Sequence, residues 1–193
     1  MAKFINNCVE SINKNFDNNL YEKVDSLNKT CFDKRLIENA NIVIVGTLTP
    51  SNGMGFGYYY TSERNKVYKL LDYCCDTETN GLSDLKKELK QNPKDKTILQ
   101  KVKEYLFEHK IVFVDVIDMA IRKKGSALDD DIIEYTLDYN TFKHCKSSQK
   151  FVCTSKNAMM CLQKIRKFDN VVICHQDRFH CKKEDWKKQI NNQ

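Results

Sequence analysis

The sequence predicts a three-layer α/β/α fold around a central four-stranded, mainly parallel sheet. Three observations carry that prediction. Short β-branched apolar runs recur along the chain, segments with apolar residues at helical spacing separate them, and a loop bearing Gly and Pro follows the first run directly. Fully buried strands read as continuous apolar runs, and strands alternating with helices build a parallel sheet covered on both faces.

In chain order, Phe4, Ile5, Cys8, Val9, Ile12 and Phe16 recur at helical spacing and predict an amphipathic amino-terminal helix. Tyr21, Val24 and Leu27 extend helical structure after a break. Ile42–Val45 is the first strand, and Gly46 opens its loop at the strand's carboxyl end, where open α/β sheets place ligands. Tyr58-Tyr59-Tyr60 close that loop. Val67, Leu70, Leu71 and Cys74 then form one face of a helix opened by Ser62. Leu85 and Leu89, and then Ile98, Leu99, Val102, Tyr105 and Leu106, mark two charged helices parted by Asn92-Pro93. Ile111–Val116, Phe151–Cys153 and Val171–Cys174 are the remaining strands. Ser155 caps a helix whose inner face is Ala158, Cys161, Leu162 and Ile165, and a last short helix holds Trp186.

The 193 residues fit a single domain, 1–193, with the helical segment 1–40 packed on it. A net charge of +6 favours an anionic partner. The leading MAKFINNCVES lacks the apolar centre of a secretion signal. No apolar run approaches the ~20 residues needed to cross a bilayer. The expectation is a soluble, intracellular monomer, cytoplasmic or, in a eukaryote, nuclear. None of the nine cysteines forms a Cys-x-x-Cys pair and several sit in apolar runs, so they read as reduced, mostly buried thiols; no metal or cofactor is expected.

Parallel strands bring four loops to one edge: Thr47–Thr61, Asp115–Asp130, Thr154–Asn157 and His175–His180. Two of them carry separate motifs in matching order. The first reads Gly46-Thr47-Leu48-Thr49-Pro50 and then Tyr59-Tyr60-Thr61-Ser62-Glu63-Arg64-Asn65; the second reads Val114-Asp115-Val116-Ile117, Arg122 and Gly125-Ser126-Ala127-Leu128-Asp129. Over residues 41–190 this pattern resembles the uracil-DNA glycosylase superfamily, nearest its mismatch-specific and hypoxanthine branch. Two departures stand out. Thr49 occupies the place where the family often has a catalytic Asp or Asn, and His175-Gln176-Asp177-Arg178-Phe179 keeps the spacing of histidine and wedge but has no Pro-Ser-Pro.

The resemblance implies an enzyme that extrudes a damaged, deaminated or modified base from DNA and hydrolyses its N-glycosidic bond. Its catalytic set is Asn65 to position water, His175 to bond the leaving oxygen, and Thr49. Gly46, Thr47, Pro50, Phe56, Tyr59, Tyr60 and Asp115 surround the base, with the aromatic rings as stacking platforms. Arg122, Lys123, Lys124, Ser126, Ser155, Lys156 and Arg178 meet DNA, and Phe179 fills the vacated stack. Asp115 stands where uracil-reading relatives use Asn. The amide of Asn offers a donor and an acceptor, which suits uracil; an ionised carboxylate only accepts, which suits a base edge with N–H groups, so hypoxanthine, an amino-bearing base or a modified base fits at least as well as uracil. Two other classes fit the same residues: an inactive relative that binds DNA or protein, and a nucleoside hydrolase or deoxyribosyltransferase.

Overall fold

The computed structural model describes residues 7–12, 15–49, 56–63, 65–77, 79–126, 129–175 and 182–191. Strand β1 (Tyr21–Asp25) leads through the short helices α1 (Asn28–Cys31) and α2 (Lys34–Asn39) to β2 (Ile42–Gly46). Helices α3 (Val67–Cys74), α4 (Leu82–Gln91) and α5 (Lys96–Glu108) precede β3 (Ile111–Asp115) and β4 (Ile117–Lys123). A 3-10 turn (Asp129–Asp131), β5 (Ile132–Leu137), α6 (Tyr139–Phe142), β6 (Lys150–Cys153), α7 (Lys156–Ile165), β7 (Val171–Ile173) and α8 (Lys183–Asn191) complete the order.

The predicted four-stranded sheet is present. Its order is β3-β2-β6-β7 and every pairing is parallel. Every residue of β2 is buried, as expected of a central strand covered on both faces. Because side chains alternate across a strand, Ile42 and Ile44 join a core with Phe113, Leu71, Val102 and Trp186. Val43 and Val45 join a second core with Val114, Phe151, Ala158 and Leu162. Helices α3, α4, α5 and α8 cover the first face; α2 and α7 contribute to the second.

The second face also holds something the sequence reading lacked. Strands β1, β4 and β5 form a three-stranded antiparallel sheet. Val24, Ala120, Tyr135 and Leu137 carry it into the core. Most of the stretch expected to be a loop over 115–130 is therefore strand. Register shifts at Ile117/Met119 and Ile121/Arg122 break the alternation that would have marked β4. The amino-terminal helix is also corrected. Its described residues are not helical: Cys8 bridges Tyr135, and Val9 N–H donates to Tyr135 O at 2.9 Å. Tyr21 and Val24 lie in β1 rather than a helix. Phe4 and Ile5 lie outside the described residues.

Ser62 is not the cap of α3. That helix starts at Val67, whose N–H is accepted by the Asn65 side chain at 2.9 Å. The Ser155 cap holds: its hydroxyl accepts the Ala158 N–H at 3.0 Å. No disulfide joins the eight described cysteines to one another, and burial pushes the thiols of Cys74, Cys145, Cys153 and Cys161 up to about 12. Among the described residues no His/Cys/Asp/Glu group is placed to hold a metal, and no helix is long and apolar enough to cross a membrane.

Candidate functional site

Strands β2 and β3 end side by side, with Gly46 opposite Asp115. The chain stays tied there, since Val116 N–H donates to Gly46 O at 3.0 Å and Ile117 N–H to Thr47 O at 3.1 Å. Asp115 is fully buried. Its Oδ2 accepts the Thr49 N–H at 2.6 Å and faces the Ser26 hydroxyl at 3.5 Å. Its Oδ1 has no partner among the described residues. Most buried polar atoms are satisfied, so an orphan at a sheet's carboxyl edge asks for an explanation.

Asn28 holds this corner rigid. Its Nδ2 donates to Asp115 O at 2.7 Å and to Asp138 Oδ2 at 2.6 Å. Its Oδ1 accepts the Asp115 N–H at 3.0 Å and the Tyr59 hydroxyl. Burial pushes the Asp115 carboxyl from an ordinary 3.8 up to about 7, against hydrogen bonds from Thr49 and with the Asp129 charge adding to the rise. Near neutrality both protonation states are populated. Oδ2 already faces an N–H, so the proton resides on Oδ1. Oδ1 therefore donates when the acid is neutral and accepts when it is ionised.

Tyr60 supplies the second orphan. It is 5% exposed and its hydroxyl has no hydrogen-bond partner among the described residues. Burial and the neighbouring Asp115 hold that hydroxyl far above its usual range, opposed by the nearby Thr154 side chain, so it stays protonated. A Cβ at position 46 would lie 2.4 Å from Asp115 Oδ1 and 2.7 Å from the Tyr60 hydroxyl oxygen. Gly46 is required by this close approach, and the two orphan oxygens converge on one point above it. Tyr60 reaches the point with φ of 58°, a left-handed conformation that costs a non-glycine residue about 1–3 kcal/mol.

The other two tyrosines are core residues. The rings of Tyr58, Tyr59 and Tyr60 gather on Phe113 at 6.4, 6.3 and 5.1 Å, and Tyr68 stacks on it at 5.8 Å. A second polar cluster borders the corner. Thr47 and Ser155 share a hydrogen bond of 3.1 Å, and Asn157 donates to Asp129 at 3.2 Å. Burial raises the Asp129 carboxyl, opposed by its hydrogen bonds with Asn157 and Thr47.

Direct contacts thus unite Gly46, Thr49, Tyr60 and Asp115, and join Thr47 to Ser155; Tyr59 stands behind Asp115 through Asn28. Exposed Lys156 follows Ser155 in the first turn of α7. Others are placed apart. The Asn65 side chain accepts the Val67 N–H at the start of α3, and its carbonyl accepts from Lys86 at 2.7 Å. His175 follows β7, two strands from β2, with its carbonyl held by the Trp186 indole N–H at 3.0 Å. Half-buried Phe56 donates its N–H to Thr61 at 2.7 Å. Arg122 is 8% exposed and paired with Glu22 at 3.1 Å, while Lys123 and Lys124 are exposed beyond it. Ser126 donates to Asp131 at 2.6 Å. Pro50, Arg178 and Phe179 lie outside the described residues. Sequence reasoning assigned no role to Ser26, Asn28 or Asp129. Only Asp129 had a signal, the last position of the Gly125–Asp129 motif.

No protein-family model matches the chain, and no curated protein matches it. A solved structure does. It is the solution NMR structure of a Methanosarcina acetivorans protein carrying a provisional uracil DNA glycosylase assignment. The two are 18% identical and superpose with a TM-score of 0.52, over 81% of this chain and 92% of that one. The similarity establishes the fold: mixed α/β with a four-stranded parallel sheet flanked by helices, uracil-DNA glycosylase-like.

Proposed function

We propose that the protein is a DNA glycosylase that flips a deaminated, damaged or modified base from DNA and hydrolyses its N-glycosidic bond, leaving an abasic site. The observation that carries this reading is the pair of buried oxygens, on Asp115 at the end of β3 and on Tyr60 in the loop after β2, that have no hydrogen-bond partner among the described residues. A base edge, with donors and acceptors in one plane, satisfies both. The glycosylase-like fold and the two loop motifs support the same assignment, on the mismatch-specific and hypoxanthine side of the superfamily.

In this reading Asp115 and Tyr60 read the base edge, and half-buried Phe56 flanks the base. Asn65 uses its Nδ2 to hold the attacking water, since its Oδ1 is committed to α3. His175 stabilises charge on the departing base, and Thr49 fixes Asp115 through its backbone N–H. Thr47, Ser155 and Lys156 meet a flanking phosphate, with Lys123 and Lys124 as further contacts. Release of free base from an oligonucleotide, but not from the matching nucleoside, is the expected result. A panel carrying uracil, hypoxanthine, xanthine and modified pyrimidines, followed by alkali cleavage at abasic sites, tests it.

A second reading has an observation of its own. Thr49 is a weak water activator, and the Asn65 oxygen is already occupied. An inactive binding module follows if oligonucleotides bind and no base is released from any of them.

A further inference from the structure

Next to the Asp115 corner, a groove of about 450 Å³ opens between α1, the loop at Gly57-Tyr58 and the amino-terminal turns of α5. That size falls within the roughly 300–1,000 Å³ of ligand sites. Its floor is apolar, from Leu27, Tyr58 and Leu99, and its rim is cationic, from Lys94, Lys96 and Lys103. Among the described residues no Asp or Glu lines it. Lys103 lies 3.4 Å from Asp33, but Lys94 and Lys96 make no ion pair among the described residues. Tyr58 is 2% exposed, and its hydroxyl has no hydrogen bond among the described residues.

The groove is preformed and continuous with the site. Lys94 sits at φ 65° with its N–H on Phe56 O at 3.2 Å, and its side chain packs where a Gly57 Cβ would stand, 2.9 Å away. Leu27 N–H donates to Thr49 O at 2.9 Å, while the Thr49 N–H donates to Asp115. One hydrogen-bonded chain therefore runs from the groove floor to the orphan carboxyl. Lys96 and Lys103 are two helical turns apart, about 10 Å along the axis. Successive phosphates of a stacked strand rise by only about 3.4 Å, so these two cations meet different phosphates.

We propose that this groove seats single-stranded DNA flanking the extruded base, with a base against half-buried Leu99 on the apolar floor and phosphates on Lys94, Lys96 and Lys103. The proposal rests on the glycosylase reading above. It places the strand along α5, on different lysines from the Arg122-Lys123-Lys124 run.

The test is a fluorescence-anisotropy titration of a labelled single-stranded oligonucleotide against salt. The proteins are the wild type, Lys94→Glu/Lys96→Glu and Lys123→Glu/Lys124→Glu, with circular dichroism as the folding check. Glu at position 96 sits in the first turn of α5, where a negative charge suits the helix dipole. The neutral pair Lys94→Gln/Lys96→Gln gives a milder second variant. The groove reversal is expected to weaken binding on the order of tenfold, and loss of two phosphate contacts lowers the salt slope by about 1.4. Wild-type binding by the groove variants, with the loss falling on Lys123→Glu/Lys124→Glu, overturns the groove and leaves the glycosylase reading standing. Unchanged oligonucleotide binding with loss of a poly-glutamate peptide instead overturns it in favour of an acidic protein partner. No single-strand binding by the wild type overturns the groove, and base release from the oligonucleotide panel decides the glycosylase reading separately.

Discussion

Asp115 Oδ1 and the Tyr60 hydroxyl meet above Gly46, each buried and each without a hydrogen-bond partner among the described residues. A fold that leaves two such atoms facing one point carries a desolvation cost of about 1–3 kcal/mol for each. A ligand with complementary edges recovers that cost on binding.

Tyr60→Phe separates function from stability. Deleting a hydroxyl with no hydrogen-bond partner among the described residues leaves the melting temperature unchanged or raised, while binding and base release fall. Tyr68→Phe is the matched control, because its hydroxyl is equally buried and partnerless but stacked on Phe113 in the core. Thermal unfolding and binding titrations on both variants check this; a Tyr60→Phe protein that binds and cleaves like wild type removes Tyr60 from the site.

Gly46→Ala places a methyl group within 2.7 Å of both oxygens. Overpacking of this kind typically costs about 1–3 kcal/mol. The expected outcome is a folded, destabilised protein that has lost base release. An alanine variant with wild-type cleavage shows that the two oxygens do not converge as described.

Asp115 makes stability depend on pH. Its carboxyl ionises near 3.8 when unfolded and about 7 when folded. The native state therefore keeps a proton the unfolded state has lost. Its contribution is full below pH 3.8 and declines as pH rises to about 7, by at most about 4 kcal/mol. Asp115→Asn keeps an acceptor for Thr49 and a donor at the Oδ1 position without ionising. Denaturant unfolding should show Asn stabilised over wild type at about pH 8, with the gap closing near pH 4. Parallel stability curves contradict the raised value.

Asn65→Ala and His175→Ala are expected to lower base release far more than DNA binding. Removing one transition-state hydrogen bond typically costs about 100- to 1,000-fold in rate. Single-turnover rates beside binding titrations decide it, and folded variants that cut at wild-type rates move the catalysis to other residues.

The parallel sheet was legible because its signals are local. Ile42–Val45 and Ile111–Val114 are unbroken apolar runs, and the Ser155 cap lies three residues from the N–H it accepts. The place of Asp115 was legible too, since it closes the apolar run of β3, and Tyr60 stands in the loop that follows β2. The antiparallel sheet was not. Two register shifts scramble the β4 pattern, and Val24 and Leu27 happen to match helical spacing. Asn28 gave no signal at all. Its partners, Asp115 and Asp138, are 87 and 110 residues away, so only the folded chain shows that the amino-terminal segment braces the site.

The most direct test is base release by wild type and Asp115→Asn on oligonucleotides carrying uracil, hypoxanthine or an amino-bearing base, followed as pH passes through 7. Below that value neutral Asp115 donates to a carbonyl; above it the carboxylate accepts from an amino group. The account predicts that wild type releases uracil better below pH 7 and shifts toward the amino-bearing base above it. Asp115→Asn should keep the low-pH preference throughout. A wild-type preference that does not move with pH, or one that moves identically in Asp115→Asn, contradicts the assignment of Asp115 as the group that reads the base.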